Sequence, residues 1–225
     1  MSEKIKKLAY SQVKSSAIRI QISPKDPVSK NVSHYVMFIE MDDKRFFLER
    51  FIKDNSESKI IVFVRTKVRA ERVQNAMGRV GISSLGIHGD KDQKDRIEVM
   101  RQFREGECRV LVATDISARG INVADIEFVI NYDLPVKTEN YIHRVGRTGR
   151  GFNKGIAISF CSAQERILLD EIQGFLKKEI ETITISKKDY AAVLTSNDWQ
   201  SLIEKEPQKR TPKSGRPKKK SKKSK

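Results

Sequence analysis

The sequence predicts a doubly wound α/β domain, and three observations carry that expectation. Short β-rich runs alternate with helical stretches from about residue 32 to residue 160. One run, Val110-Leu111-Val112-Ala113, is apolar on both faces, as a central strand of a parallel sheet covered by helices must be. Polar clusters also follow three of the runs at the same end. A βαβα order with right-handed crossovers builds such a sheet, and ligands gather outside the carboxyl ends of its strands.

The first strand candidates are residues 32–39 and 59–64, the second continuously apolar through Ile60-Ile61-Val62-Phe63-Val64. Residues 84–87, 109–113, 127–131 and 155–160 follow, with helical patterns between them at 44–53, 68–80, 92–104, 138–145 and 164–176. No internal repeat is visible. After Leu176 the pattern thins to a short strand candidate at 180–185 and a weak helix near 198–204. The three polar clusters are Thr66, His88-Gly89-Asp90 and Thr114-Asp115. Surface loops are commonly polar, but three such clusters at strand carboxyl ends mark a binding edge.

With 225 residues, 38% hydrophobic and 33% charged, the chain suits a globular domain with one sizeable core and a charged exterior. No apolar run approaches the roughly 18 residues of a membrane span, and the opening Met1-Ser2-Glu3-Lys4-Ile5 has no apolar core behind it to make a secretory signal. The two cysteines, Cys108 and Cys161, share no motif with each other or with a histidine, so neither disulfide nor zinc site is expected and a reducing cytoplasm is the natural setting. Cys161 reads as a core residue at a strand end, His34 as a strand surface position, and Trp199 as a packing residue.

The net charge of +16 is unevenly placed. Residues 207–225 hold ten of the 45 Lys and Arg and none of the 29 Asp and Glu, which leaves +6 on the remainder. That segment has no apolar periodicity and contains Pro, Gly and Ser, so it is expected to be a disordered basic tail, either merely solubilising or contacting phosphates without sequence preference.

The segment His143-Arg144-Val145-Gly146-Arg147-Thr148-Gly149-Arg150 is the most informative. Arginines interleaved with glycines let guanidiniums and backbone approach a crowded polyanion. Arg147 and Arg150, three apart, reach one phosphate from a helical turn, where planar forks bind bidentately. The exact pattern resembles motif VI of the DEAD-box RNA helicases, and its leading histidine is closer to that family than to the related DEAH group. Upstream, Val112-Ala113-Thr114-Asp115-Ile116-Ser117-Ala118-Arg119-Gly120-Ile121-Asn122 resembles motif V. His88-Gly89-Asp90 with Gln93 and Arg96 is similar to the family's HGD and QxxR pair, and Ile61-Val62-Phe63-Val64-Arg65-Thr66 to motif IV. Val129-Ile130-Asn131-Tyr132-Asp133-Leu134-Pro135 resembles the strand that leads to motif VI. All stand in family order and spacing from about residue 59 to residue 160.

The resemblance implies a RecA-like fold, a doubly wound parallel β-sheet sandwiched by helices, over residues 31–178. A lead-in at 1–30 precedes it, and an extension at 179–206 and the disordered basic tail at 207–225 follow. It implies the second half of an ATP-dependent RNA helicase. Arg147 and Arg150 would be catalytic arginine fingers on the γ-phosphate of ATP, where fixed positive charge stabilises a phosphoryl group in transfer by about 10³–10⁵ in rate. Gly120 and Asn122 would join them in binding ATP. Thr66, Gly89, Asp90, Gln93, Arg96, Thr114 and Asp115 would line the RNA path. Gln93 and Arg96 share a face near a helix start, and Gly89 has no Cβ to keep phosphate from its backbone N–H. Arg119, His143 and Arg144 would couple the domain to its missing N-terminal RecA-like partner. Asn122 departs from the pattern: the family has aspartate there for the ATP ribose, and asparagine keeps one acceptor oxygen but loses the charge.

The chain contains neither a G-x-x-x-x-G-K-[ST] phosphate loop nor an Asp-Glu-Ala-Asp sequence. In the family both belong to the first domain, which holds ATP and Mg2+. Residues 1–22 resemble the stretch that follows that domain's Ser-Ala-Thr motif, so the chain is expected to be a piece of a longer protein, monomeric in isolation, away from membranes and without ATPase activity of its own. Two other readings compete: a non-catalytic nucleic-acid-binding module, which has no need of Arg147 and Arg150, and a DNA translocase, disfavoured by His88-Gly89-Asp90 and His143. Deleting residues 207–225 is expected to weaken RNA binding and flatten its salt dependence without disturbing the fold, because counterion release scales with the phosphates neutralised. Binding titrations across salt concentrations check this, and equal affinity with and without the segment would reduce it to a solubilising tail.

Overall fold

The computed structural model describes residues 3–12, 28–117, 123, 125–151 and 153–195. Arg119, Gly120, Asn122, Trp199, the helix expected near 198–204 and the basic tail at 207–225 lie outside the described residues. The strands are β1 (Val32–Phe38), β2 (Ile60–Phe63), β3 (Leu85–Ile87), β4 (Val110–Ala113), β5 (Phe128–Asn131), β6 (Gly155–Cys161) and β7 (Glu181–Thr182). They form one seven-stranded parallel sheet in the order β3-β4-β2-β5-β6-β1-β7. Helices α1 (Glu3–Gln12), α2 (Lys44–Asp54), α3 (Lys67–Arg79), α4 (Gln93–Glu105), α5 (Thr138–Val145), α6 (Arg166–Leu176) and α7 (Lys187–Thr195) complete the element order.

Strand periodicity divides the core in two. Along β2 and β4, Ile61, Phe63, Leu111 and Ala113 face one cluster, packed with Val99 and Phe103 of α4, Tyr141 and Val145 of α5, and Leu169 and Ile172 of α6. The alternate residues Ile60, Val62, Val110 and Val112 face the other, with Phe47, Leu48 and Phe51 of α2 and Ala70, Val73 and Met77 of α3. Successive side chains on a strand point to opposite faces, so a run apolar at every position needs helices on both sides, and it has them.

The local signals for each element are legible. Thr66 caps α3 by accepting the Arg69 N–H at 3.2 Å, and Asp92 caps α4 by accepting the Asp95 N–H at 2.8 Å. Gly106 ends α4 in the left-handed region at φ 81. Every strand and helix expected between residues 32 and 176 is present, shifted at most slightly at its ends. One difference lies at 164: Ser162 and Glu165 form a reciprocal capping box around a 3-10 turn, Ala163–Glu165, and α6 starts after it.

Beyond Leu176 the structure departs further from the sequence pattern. The strand expected at 180–185 shortens to β7, which pairs Tyr35 with Glu181 and Val36 with Thr182. Helix α7 is an addition. Its Tyr190 ring stacks 4.9 Å from Phe47, and the Tyr190 hydroxyl donates to Asp43 Oδ2 at 2.7 Å. Helix α1 is a second addition, in the segment expected only as a lead-in.

Two glycines hold the loop after α5 against the sheet. Gly149 sits at φ 64, and a Cβ there would meet Val32 Cγ2 at 2.4 Å and Asn31 O at 2.9 Å. A Cβ on Gly155 would meet the Thr148 hydroxyl at 1.9 Å and the Gly149 nitrogen at 2.4 Å. Gly149→Ala is expected to cost about 2–4 kcal/mol, combining left-handed strain with a clash against backbone. Gly151→Ala, at φ 63 but facing open space, is expected to cost only about 1 kcal/mol. Urea denaturation of the two variants checks the contrast.

Candidate functional site

The polar clusters meet at one edge. Strands β3, β4 and β2 are neighbours, so the loops after Ile87, Ala113 and Phe63 lie side by side at their carboxyl ends. Thr66 stands at the start of α3, and Lys67 pairs with Asp90 across to the next loop, an interaction that pulls the Asp90 carboxyl below its ordinary pKa. Thr114 is buried: its Oγ1 lies 2.9 Å from Ser117 Oγ, and Ser117 Oγ donates to Ile87 O at 2.8 Å. His88 is also buried, with Nε2 3.6 Å from Glu71 Oε1 and Nδ1 without a hydrogen-bond partner among the described residues. Gln93 and Arg96 occupy the first turn of α4, Gln93 exposed and Arg96 half-buried. Nothing lies within 4 Å of a Cβ placed on Gly89, so no protein neighbour demands glycine there.

Asp115 is fixed from below. Arg144, 1% exposed, donates from Nε to Asp115 Oδ1 at 2.6 Å and from Nη2 to Oδ2 at 3.0 Å. Its Nη1 donates to Asp133 O at 2.6 Å and to Asn131 Oδ1 at 3.3 Å. Asn140 adds a bond to Asp115 Oδ2 at 3.0 Å. The guanidinium of Arg144, expected to couple this domain to its N-terminal partner, makes its bonds within this domain, and it reaches the strand edge because helical side chains lean toward the helix N-terminus.

Arg147 and Arg150 lie elsewhere. Helix α5 ends at Val145, so the pair stands past the helix proper, where turns carry the chain on through Arg147 N–H to Arg144 O and Thr148 N–H to Val145 O. Each side chain folds back on the carbonyl four residues earlier: Arg147 Nε to His143 O at 2.9 Å and Arg150 Nε to Gly146 O at 3.1 Å. Thr148 Oγ1 donates to Glu127 O at 3.0 Å and Asn31 Nδ2 to Gly151 O at 2.8 Å. The loop therefore sits at the amino ends of β5, β6 and β1, opposite the polar edge. Arg104, Asp125, Arg147, Arg150 and Asn153 line a cleft of about 470 Å³ there. Partial burial, then the like charge of Arg150, lower the pKa of Arg147. His143 is exposed.

The sequence reading missed one buried network. Lys44, 0% exposed, donates to Glu165 Oε2 at 2.5 Å and to Tyr132 O at 2.7 Å. Glu165 Oε1 also accepts from Arg65 Nη2 at 3.1 Å and from the Leu134 N–H at 3.2 Å. Burial pulls the Lys44 pKa down against the opposing pull of Glu165. For Glu165 burial pushes up, but Lys44 and Ser162 outweigh it and hold the carboxyl low. The sequence offers a signal for Glu165 alone, Ser162-x-x-Glu165, a capping-box spacing directly after a strand.

Among the described residues, no group of His, Cys, Asp and Glu is placed to hold a metal ion, and no helix is long and apolar enough to cross a membrane.

A sheet in this order, with polar loops at one edge and paired arginines at the other, defines a RecA-like helicase domain. Residues 43–152 match the helicase conserved C-terminal domain family. The chain is 36% identical over 207 residues to the ATP-dependent RNA helicase RhlB of Shewanella frigidimarina, covering 92% of this chain and 47% of that protein. It is 33% identical to the E. coli DEAD-box protein SrmB, solved bound to regulator of ribonuclease activity A, with a TM-score of 0.65 over 70% of this chain and 92% of that one. S. cerevisiae Dbp5, solved bound to RNA and ADP BeF3, is 28% identical, with a TM-score of 0.69 over 86% of this chain and 51% of that one. The chain belongs to the DEAD-box RNA helicases and carries their C-terminal domain. It spans less than half the length of the curated RhlB relatives it matches.

Arg144→Ala removes the cation from a buried pair and strands the Asn131 and Asp133 acceptors. Because Asp115 retains 25% side-chain exposure and can rehydrate, the expected cost is the lower end for such pairs, about 3 kcal/mol. His143→Ala, at an exposed position, is expected to change stability by no more than about 0.5 kcal/mol. Denaturant midpoints of the two variants check this.

Proposed function

We propose that the chain is the C-terminal half of an ATP-dependent RNA helicase of the cytoplasm, separating or remodelling RNA duplexes in concert with a phosphate-loop domain. RNA is gripped at the carboxyl edge of β3, β4 and β2, through Thr66, Gly89, Asp90, Gln93, Arg96, Thr114 and Asp115. Arg147 and Arg150 serve ATP. The observation that carries the reading is the joining of two separate surfaces through one residue. Arg144 holds Asp115 at the strand edge with its side chain, and its carbonyl accepts the N–H of Arg147.

The residues present fit a phosphate group. Two adjacent guanidiniums, with Arg147 partly desolvated and repelled by Arg150, favour an anion between them, and planar forks suit its oxygens. ATP supplies the phosphoryl group that passes to water, with Mg2+ held mainly by the partner domain. This chain's part is to hold fixed positive charge where negative charge grows, without reorganising. Gly120 and Asn122 are assigned to ATP, Asn122 with a weakened hold on ribose, and Arg119 and the exposed His143 to coupling with the partner domain. At the other surface, open backbone at Gly89 and the first turn of α4 suit contacts to phosphates and 2′-hydroxyls rather than to base sequence. The isolated domain is a monomer and, having no phosphate loop, turns over no ATP.

In the full-length protein, Arg147→Ala or Arg150→Ala is expected to lower kcat for ATP by about 10²-fold or more, with RNA affinity in the absence of nucleotide nearly unchanged. Arg150→Lys should rescue poorly, since a point charge lacks the two-pronged contact. Gln93→Ala with Arg96→Ala should do the reverse, raising the RNA needed for half-stimulation while saturating RNA restores much of kcat. ATPase titrations in RNA paired with fluorescence anisotropy separate the classes. If both lose RNA affinity equally and keep kcat, Arg147 and Arg150 are RNA ligands and the proposal fails.

A further inference from the structure

A second cleft, of about 580 Å³, opens on the other face of the sheet between α2 and α3. Arg45, Arg69, Arg72 and Arg79 line it together with Asp42 and Asp43, and Met41, Phe46 and Met77 supply apolar wall. The charges are not in balance. Arg69 is paired with Asp133 at 2.9 Å, and Asp43 accepts the Tyr190 hydroxyl at 2.7 Å. Among the described residues, Arg45, Arg72 and Arg79 have no acidic partner, and all three are exposed. Against these three guanidiniums stand two carboxylates, Asp42 and Asp43.

Tyr132 makes this more than a basic patch. Its side chain lines the cleft and is 5% exposed, yet its hydroxyl has no hydrogen-bond partner among the described residues. The charges its oxygen feels include Arg69, Arg45 and Asp42, all lining the same cleft, and burial pushes its pKa up to about 12, so it stays a donor at neutral pH. A hydroxyl donor on the cleft wall with no acceptor among the described residues, an apolar wall and a cationic rim together match a unit with a flat ring, acceptor atoms and a phosphate. The volume suits one nucleotide. The cleft residue Arg69 is tied to the strand edge, its N–H donating to Thr66 Oγ1 at 3.2 Å and its guanidinium pairing with Asp133, which also accepts the Arg65 N–H at 3.0 Å.

We propose that this cleft takes one nucleotide of single-stranded RNA running on past Thr66, with its phosphate on Arg72 and Arg45 and its base on the apolar wall beneath an accepting bond from Tyr132. The proposal rests on the reading of Thr66 as part of the RNA path. It extends the footprint of the domain around the N-terminus of α3, from the edge of β3, β4 and β2 onto the face covered by α2 and α3. An acidic peptide would satisfy the arginines and the Tyr132 donor but would leave the ring-sized apolar wall unused.

The test measures binding of fluorescent oligouridylates of about five and about ten nucleotides to the full chain at fixed salt. Tyr132→Phe keeps the buried ring and removes only the hydroxyl, and Arg72→Ala alters an exposed position. Each is expected to weaken the longer oligonucleotide by about threefold or more while leaving the shorter unchanged. Gln93→Ala should weaken both. An equal loss at both lengths, or no loss at either, overturns the proposal, as does competition by polyglutamate in place of any length-dependent loss. Should Gln93→Ala change neither length while Arg72→Ala still acts on the longer one, the strand-edge path fails and the cleft stands.

Discussion

A guanidinium buried at 1% exposure is costly unless every direction it offers is answered, because desolvating a charge exceeds what one partner returns. Arg144 is answered on all sides. It meets a carboxylate from the β4 loop, a carbonyl and a side-chain amide from the end of β5, and the Phe63 ring of β2 at 5.1 Å. Those partners come from three adjacent strands, so their relative heights are set by one planar fork. The orientation of the whole polar edge depends on it. Asn131, the amide it touches, donates in turn to Ser159 Oγ on β6 at 3.0 Å, and the brace thereby crosses most of the sheet.

The second buried network meets the first at Asp133. Its carbonyl accepts from Arg144 on one face, while its carboxylate accepts the Arg65 N–H and pairs with Arg69 on the other. Lys44 and Glu165 lie beyond, tying α2 to the turn before α6. The carboxyl edge is therefore stitched by charges on both faces, whereas the layers beneath it are apolar. Hydrogen-bonded polar networks in a low dielectric hold a geometry more specifically than apolar packing does, which suits an edge that must present several loops at fixed heights.

How far the sequence discloses this depends on the kind of signal. Strands β2 and β4 announce themselves because each residue is apolar, and α3 and α4 because Thr66 and Asp92 stand at cap positions. Helix α7 escapes a periodicity reading because only Tyr190 and Val193 of its described side chains touch the core, although Ser186-x-x-Asp189 carries a cap spacing. The motif residues themselves are all visible, but not their arrangement. Nothing in the spacing of His143 to Arg150 says that Arg144 turns inward while Arg147 and Arg150 emerge at the opposite end of the sheet. Nor can pattern alone find Lys44, which looks like any charged first residue of a helix until Glu165 is brought to it from 121 positions away. Long-range polar pairing has no period, and for that reason it is read only from the fold.

The placement of the two surfaces also constrains how the domain can work. Polar loops and paired arginines stand at opposite ends of the strands, with α5 between them. A helix of eight residues rises only about 12 Å and is stiff over that length. With Asn140 of its first turn and Arg144 of its last both bound to Asp115 at the strand edge, and Gly149 and Gly155 pressed into the amino ends of β1 and β6, neither end of the segment can move without breaking these contacts. The domain is thus built to carry its two surfaces as one rigid body. Any change that places Arg147 and Arg150 against a partner must carry the polar edge with it. Coupling between the surfaces then requires no internal rearrangement, only a movement of the whole domain, because both are fixed in the same frame by the same side chain.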